Sequence, residues 1–216
     1  MRRPRQSLTL VTAPAVEPVT VSEAKAWLRL DGDAEDTLLE QLITAARTSA
    51  EQYIRGSIIS QTRKLTLDLT CSRFGDNLPE GVYDMPVTAL YGGLPTVVEL
   101  PAGPVQSVTL VKTYGLDNTE STYSSGNYYL DTAGDRLVLN YGAIWPTNLR
   151  PQASCAITYV AGYGVTSKDV PEPIKRSILI HVASLYEQRG QCDDGAEPPP
   201  GAKQLLNQYR KLGSRG

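Results

Sequence analysis

LRLDGDAEDTLLEQL, Leu28 to Leu42, decides how the opening of this chain is read. Asp31, Asp33, Glu35 and Asp36 crowd into DGDAED, so the stretch is either a metal loop or the start of a helix. A calcium loop of the helix–loop–helix type wants glycine at its sixth position and a bidentate glutamate at its twelfth. Counted from Asp31, those positions hold Asp36 and Leu42. Both requirements fail. Carboxylates near a helix N-terminus accept bonds from free backbone N–H groups and offset the positive end of the helix dipole. The cluster therefore reads as a helix start, with Asp33 or Gly32 near the cap and Glu35 and Asp36 in the first turn.

The residues that follow agree. Leu39, Leu42, Ile43, Ala46, Ala50 and Tyr53 recur at three- and four-residue spacing and form one apolar stripe. Gln41, Arg47 and Glu51 fall off it. The spacing predicts a helix from about Ala34 to Ile54, stopping near Gly56, a residue suited to a left-handed terminus. Upstream, PVTVSEAKAWLRL places Thr20 and Glu23 at capping-box spacing. Ala24, Trp27 and Leu28 supply the apolar face of a short helix there.

After Gly56 the period changes to two. In QTRKLTLDL, Leu65, Leu67 and Leu69 alternate with Lys64, Thr66 and Asp68, as in a strand with one wet face. TVVEL, PVQSVTLVKTY, NYYLD, DRLVLNY and SCAITYV follow, separated by turn residues in PAGP, GLDN and TAGD. An antiparallel unit is expected from about Ser60 to Gly164, with residues 71–95 as an irregular excursion. AGYG, 161–164, lacks the spacing of a phosphate loop and reads as a turn after the last strand.

VPEPIKRSILIHVASLYEQRG then has proline in its first turn and Ile174, Ile178, Val182, Leu185 and Tyr186 along one face, with Gly190 as a stop. This helix is long enough to lie beside the Leu39–Tyr53 stripe. QCDDGAEPPPGA, 191–202, reads as a proline-stiffened linker. KQLLNQYRKLG, short for a helix, must dock on its own domain or on a partner.

The expected class is α+β. A helical core comes from both chain ends, two N-terminal helices plus one long and one short C-terminal helix, with an antiparallel β-rich unit inserted. The divisions are 1–16, an N-terminal extension; 17–57, the N-terminal helices; 58–165, the inserted unit; 166–190, the long helix; and 191–216, linker and terminal helix.

Composition narrows the function. With 21 basic and 23 acidic residues, the net charge of −2 disfavours a tight grip on nucleic-acid phosphates. Twelve tyrosines against one phenylalanine suit half-buried edges and interfaces. Cys71, Cys155 and Cys192 are odd in number and scattered, so neither a disulfide framework nor a zinc site is expected, and a reducing compartment fits. No run approaches the ~18 apolar residues of a membrane span, and MRRPRQSLTL lacks a signal peptide's apolar run. The expectation is a soluble protein, intracellular or part of a particle assembled inside a cell. His181 stands beside an apolar face with no partner at catalytic spacing and reads as a core or interface residue. Asp68, Asp131 and Asp135 are the candidate carboxylates for an enzyme reading, but they sit at strand ends and turns, where aspartate is ordinary. No catalytic residue, cofactor or metal is expected.

The order of these features resembles the head–tail connector (adaptor) proteins of long-tailed double-stranded-DNA phages and gene-transfer agents. The resembling stretches are residues 18–69, then LPAGPVQSVTLV, YYLDTAGDRLVLNYGAIWP and ITYVAGYG followed by VPEPIKRSILIHVASLYEQR. The resemblance implies a structural virion protein at the neck, assembled in the host cytoplasm. It implies a ring, commonly of twelve subunits, that sits on the portal, extends the DNA channel without tight DNA binding, and receives a stopper or tail-completion protein. It also implies that the C-terminal helical part meets the portal, which points here to Leu205, Leu206, Tyr209 and Arg210. A tail-completion protein or another binding module is the alternative, and an enzyme with carboxylate chemistry a more distant one.

Overall fold

The computed structural model describes residues 6–69, 93–188 and 197–211. It is a mixed protein of helices and antiparallel strand pairs, α+β in class. The chain divides into two units. One holds residues 6–13, 62–69, 93–101 and 105–160 of the described chain, and the other holds 14–61, 102–104, 161–188 and 197–211.

The first unit carries the strands. A five-stranded sheet has the order β1-β2-β8-β4-β5, with β1 Gln6–Thr12, β2 Gln61–Leu67, β4 Val105–Tyr114, β5 Glu120–Thr122 and β8 Cys155–Ala161. A three-stranded sheet has the order β3-β7-β6, from β3 Val97–Glu99, β6 Tyr128–Asp131 and β7 Arg136–Leu139. β1 runs antiparallel to β2, with Leu8 opposite Leu65 and Thr9 opposite Lys64. From sequence alone these residues belong to an N-terminal extension. The alternation of SLTLV was its only local signal, and its partner lies more than fifty residues away. Leu65, Leu67, Leu69, Val98, Val111, Leu137, Ile157 and Tyr159 are buried here, which period-two alternation produces when one sheet face turns inward. Most of the excursion expected at 71–95 lies outside the described residues.

The second unit carries the helices: α1 Val21–Leu28, α2 Asp36–Ile54, α3 Glu172–Glu187 and α4 Pro200–Leu206. Val19, Ala24, Leu39, Ile43, Ala46, Ala50, Ile54, Ile174, Ile178, Val182 and Leu206 form one hydrophobic cluster. Leu42, Tyr53, Leu185 and Tyr186 pack against it half-buried. α1 starts at a complete capping box. The Glu23 N–H donates to Thr20 Oγ1 at 3.2 Å and the Thr20 N–H donates to Glu23 Oε2 at 2.7 Å.

Three local expectations are corrected. α2 starts at Asp36 rather than Ala34, with Glu35 at the N-cap and making no side-chain capping bond. Asp33 and Asp36 instead pair with Lys25, Asp33 at 2.8 Å, tying the end of α1 to the start of α2. The left-handed residue ending α2 is Arg55, with φ 55°, not Gly56. Gly56 is needed for a close approach, because a Cβ there would lie 2.8 Å from the Gly103 carbonyl oxygen. The terminal helix starts at Pro200, inside the stretch read as linker, since a proline at the first helical position loses no hydrogen bond. The stop expected at Gly190 lies outside the described residues.

Candidate functional site

The four residues expected at a partner contact lie in and just after α4. Pro199 caps this helix; Ala202 and Leu206, one turn apart, are both buried, and Leu206 joins the hydrophobic cluster of their own unit. Leu206 is 0% exposed. It packs in the core while α4 stays docked. Leu205 and Tyr209 are half-buried and Arg210 is exposed.

The segment after α4 is fastened to the end of α2. A short 3₁₀ turn, Asn207–Tyr209, continues the chain. Tyr53 Oη donates to Asn207 Oδ1 at 2.7 Å, and the Arg210 guanidinium lies 5.1 Å from the Tyr53 ring centroid. The Tyr209 ring meets Tyr163 edge to face at 6.3 Å. The Lys211 N–H donates to the Ile54 carbonyl at 3.0 Å and so satisfies one of the free carbonyls at the end of α2. Lys203 Nζ bonds Glu197 at 2.5 Å, and that bond holds the Glu197 carboxyl below its ordinary pKa. What remains outward is a small amphipathic surface of Leu205, Tyr209 and Arg210 beside the exposed Gln204 and Gln208.

The same unit holds a charged network that sequence reasoning missed. Arg47 and Glu51 were placed off the apolar stripe, and charged residues there are expected in water. Each is only 8% exposed. Arg47 Nε donates to Glu17 at 2.7 Å and its Nη1 to Glu51 Oε2 at 3.2 Å. Glu51 Oε1 accepts from the Ile58 N–H and from Gln61 Nε2, both at 2.9 Å. The i, i+4 spacing of Arg47 and Glu51 was the one signal available.

The acidic cluster is used for structure. Besides the Lys25 pairs, Glu35 accepts a hydrogen bond from Tyr186 Oη. His181 is 2% exposed on α3, flanked by Ile178 and Val182 in the core. Among the described residues no group of three His, Cys, Asp or Glu side chains could hold a metal ion, and no helix is long and apolar enough to cross a membrane.

The candidate carboxylates of the strand unit hold different partners. Asp68 Oδ1 accepts the Ala153 N–H at 2.8 Å, and Asp135 Oδ1 accepts the Val105 N–H at 2.6 Å. Asp131 pairs with Arg136 at 2.8 Å, which holds its carboxyl below the usual range, with help from the Gly134 N–H. Each is a turn-building acceptor, the ordinary use of aspartate at such places. Burial pushes the Cys155 thiol up to about 12, which favours its protonated form near neutrality.

The sequence profile of the phage gp6-like head-tail connector proteins matches residues 18–132, more than half of the chain. The chain belongs to that family. None of the curated proteins matched it. Among solved structures, the fold of this connector-family chain is shared by a chain in the neck of an empty gene transfer agent particle computed with C6 symmetry. That chain is 24% identical, with 97% of this chain and 98% of that one covered and a TM-score of 0.71. A chain from the virion of a native gene transfer agent particle is also 24% identical, covering 97% of each, with a TM-score of 0.69. A third, from the neck of a native particle computed with C12 symmetry, is 23% identical, covers 97% and 98%, and has a TM-score of 0.64. These likenesses establish a common fold over nearly the full described length of the connector.

Proposed function

We propose that this connector-family protein is a non-enzymatic structural subunit of the neck, at the head–tail interface of a phage or gene-transfer-agent particle. Twelve copies form a ring on the portal, extend the DNA channel, and present the other side to a stopper or tail-completion protein. The observation that carries this reading is the family match over residues 18–132. The fold shared with neck chains of particles solved with C12 and C6 symmetry supports a ring of copies. Formal net charge supports the channel role. At −2, the chain lacks the excess of Lys and Arg that would neutralise many phosphates and hold passing DNA.

The portal contact falls on the outward side of α4 and the turn after it. Leu205, Tyr209 and Arg210 supply an apolar edge, an aromatic ring and a guanidinium, the residue types that anchor protein interfaces. Leu206 acts behind them by holding α4 in place.

The test is to mix the purified protein with its cognate portal and image the sedimented complex by electron microscopy. A second ring stacked coaxially on the portal is expected, and Arg210→Glu should weaken docking at least tenfold with the fold unchanged. Absence of binding to an intact, competent portal would overturn the portal assignment and move the protein to the tail side of the neck.

A further inference from the structure

Two loops of the strand unit are laced together around Arg150. Residues 115–119 join β4 to β5, and residues 148–154 lead into β8. Gly115 and Leu149 form an isolated antiparallel bridge. The Leu116 N–H donates to the Asn148 carbonyl at 3.2 Å, and the Arg150 N–H to the Tyr114 carbonyl at 3.0 Å. The Arg150 side chain is held as firmly as its backbone. Its guanidinium carbon lies 4.3 Å from the Tyr114 ring centroid. Nε donates to the Ala153 carbonyl and Nη1 to Asn118 Oδ1, each at 3.1 Å. Asn118 has φ 63° and Ala153 φ 49°. Left-handed backbone costs residues other than glycine energy, and here it falls on the two that grip the guanidinium.

A guanidinium carries more N–H donors than these two bonds use. Among the described residues no carboxylate pairs with Arg150, and both N–H groups of its Nη2 are open. Arg150 lines an open cleft of about 540 Å³ together with Asn118, Pro151, Gln152 and Ala153, none of them acidic. The acids beside the cleft are engaged elsewhere. Asp68 accepts the Ala153 N–H at 2.8 Å, and Asp117 accepts from the N–H and hydroxyl of Thr119. A run of nucleic-acid phosphates would meet both of these charges, whereas a single carboxylate need only meet the guanidinium.

We propose that Arg150 receives the side-chain carboxylate of an acidic peptide segment presented by a partner protein. The planar fork of arginine matches a carboxylate in a way that the point charge of lysine does not. Stacking on Tyr114 and the two loop bonds already restrict the side chain, so pairing costs it little further entropy. The cleft belongs to the strand unit and the α4 surface to the helical one. The inference is therefore independent of the portal contact proposed above.

The experiment follows the Arg150 Nε–H and the Asn118 backbone N–H by NMR in the isotope-labelled full chain. The probes are the blocked tripeptide Ala-Glu-Ala, its uncharged counterpart Ala-Gln-Ala, and inorganic phosphate. Both resonances should shift saturably with the glutamate peptide, at least tenfold more tightly than with the glutamine peptide. Arg150→Lys keeps the charge but loses the fork, and should abolish the saturable shift at Asn118. Gln152→Glu leaves Arg150 in place and sets a carboxylate of the chain's own in the cleft. It should weaken the glutamate peptide at least tenfold with the thermal midpoint unchanged. Equal responses to the two peptides, or an equal response at the exposed Arg55, would overturn the site. So would full binding of the glutamate peptide by Gln152→Glu. Tighter binding of phosphate than of the glutamate peptide would overturn the assignment to an acidic peptide.

Discussion

The carboxylate of Glu51, on the inner side of α2, accepts the backbone N–H of Ile58 at 2.9 Å. Ile58 follows the end of the helix, so one buried charge both continues the polar chemistry of α2 and fixes the chain as it leaves. Gln61 Nε2 bonds the same oxygen, and Arg47, held also by Glu17, balances the charge. Breaking a buried pair by deleting one partner leaves the other uncompensated. Glu51→Ala should therefore cost about 3 kcal/mol in urea unfolding. Glu51→Gln keeps an acceptor for Ile58 and should lose less. Equal losses for the two variants would mean that charge, not the hydrogen bond to Ile58, carries the effect.

Leu206 and Leu205 are neighbours with different tasks. Truncating the fully buried Leu206 to alanine should cost about 3 kcal/mol, since it removes a core side chain and leaves a cavity. Leu205→Ala should cost about 1 kcal/mol or less, yet weaken portal docking, because its outer surface is available. Denaturation midpoints and portal pull-down, measured on both variants, separate the two roles.

The capping box of α1 gives a pH signature. The Thr20 N–H, first, and its hydroxyl hold the Glu23 carboxyl below its ordinary value of 4.5. A carboxyl depressed in the folded state contributes stability that is complete above its unfolded pKa and is lost as pH falls through the lower, folded value. Thr20→Ala should remove about 1 kcal/mol near neutrality. Its difference from the parent protein should shrink as pH falls below 4.5. Thermal midpoints measured between neutral and strongly acidic pH check this; a constant difference would refute the linkage.

Gly162, in the AGYG turn, has φ 142°, and a Cβ there would lie 2.4 Å from the Ile59 carbonyl carbon. Backbone cannot yield as a flexible side chain can. Its N–H donates to the Pro104 carbonyl, and the next residue's N–H donates to Ile58. Gly162→Ala should cost about 2 kcal/mol or more. Gly142→Ala, also at positive φ but with open space around it, is the control for conformational strain alone.

Much of the helical unit could be read from the sequence because its signals are local. The Thr20–Glu23 box needs residues three apart, and Leu39, Ile43, Ala46 and Ala50 declare a buried face within a few turns. Ile174, Ile178 and Val182 do the same for α3. The candidate contact surface was legible only in part. KQLLNQYRKLG announced an amphipathic helix, but the pattern could not distinguish the leucine that packs inward from the one that stays outward. That choice was made by the end of α2, through Tyr53 and the Ile54 carbonyl.

By itself, the sequence determined the class of fold, the helix faces, the period-two strands and the structural use of DGDAED, since each follows from bonds and side-chain directions within a few residues. Tertiary structure decided the rest. It buried Arg47 and Glu51, whose charges read locally as solvent-facing, by bringing Glu17, Ile58 and Gln61 to them. It moved the left-handed residue from Gly56 to Arg55, because Gly56 is needed where another backbone passes. It made a strand of Gln6–Thr12 by pairing it with Gln61–Leu67. In each case the deciding partner lies far away along the chain or belongs to another element, and a distant partner leaves no periodic trace in the residues it controls.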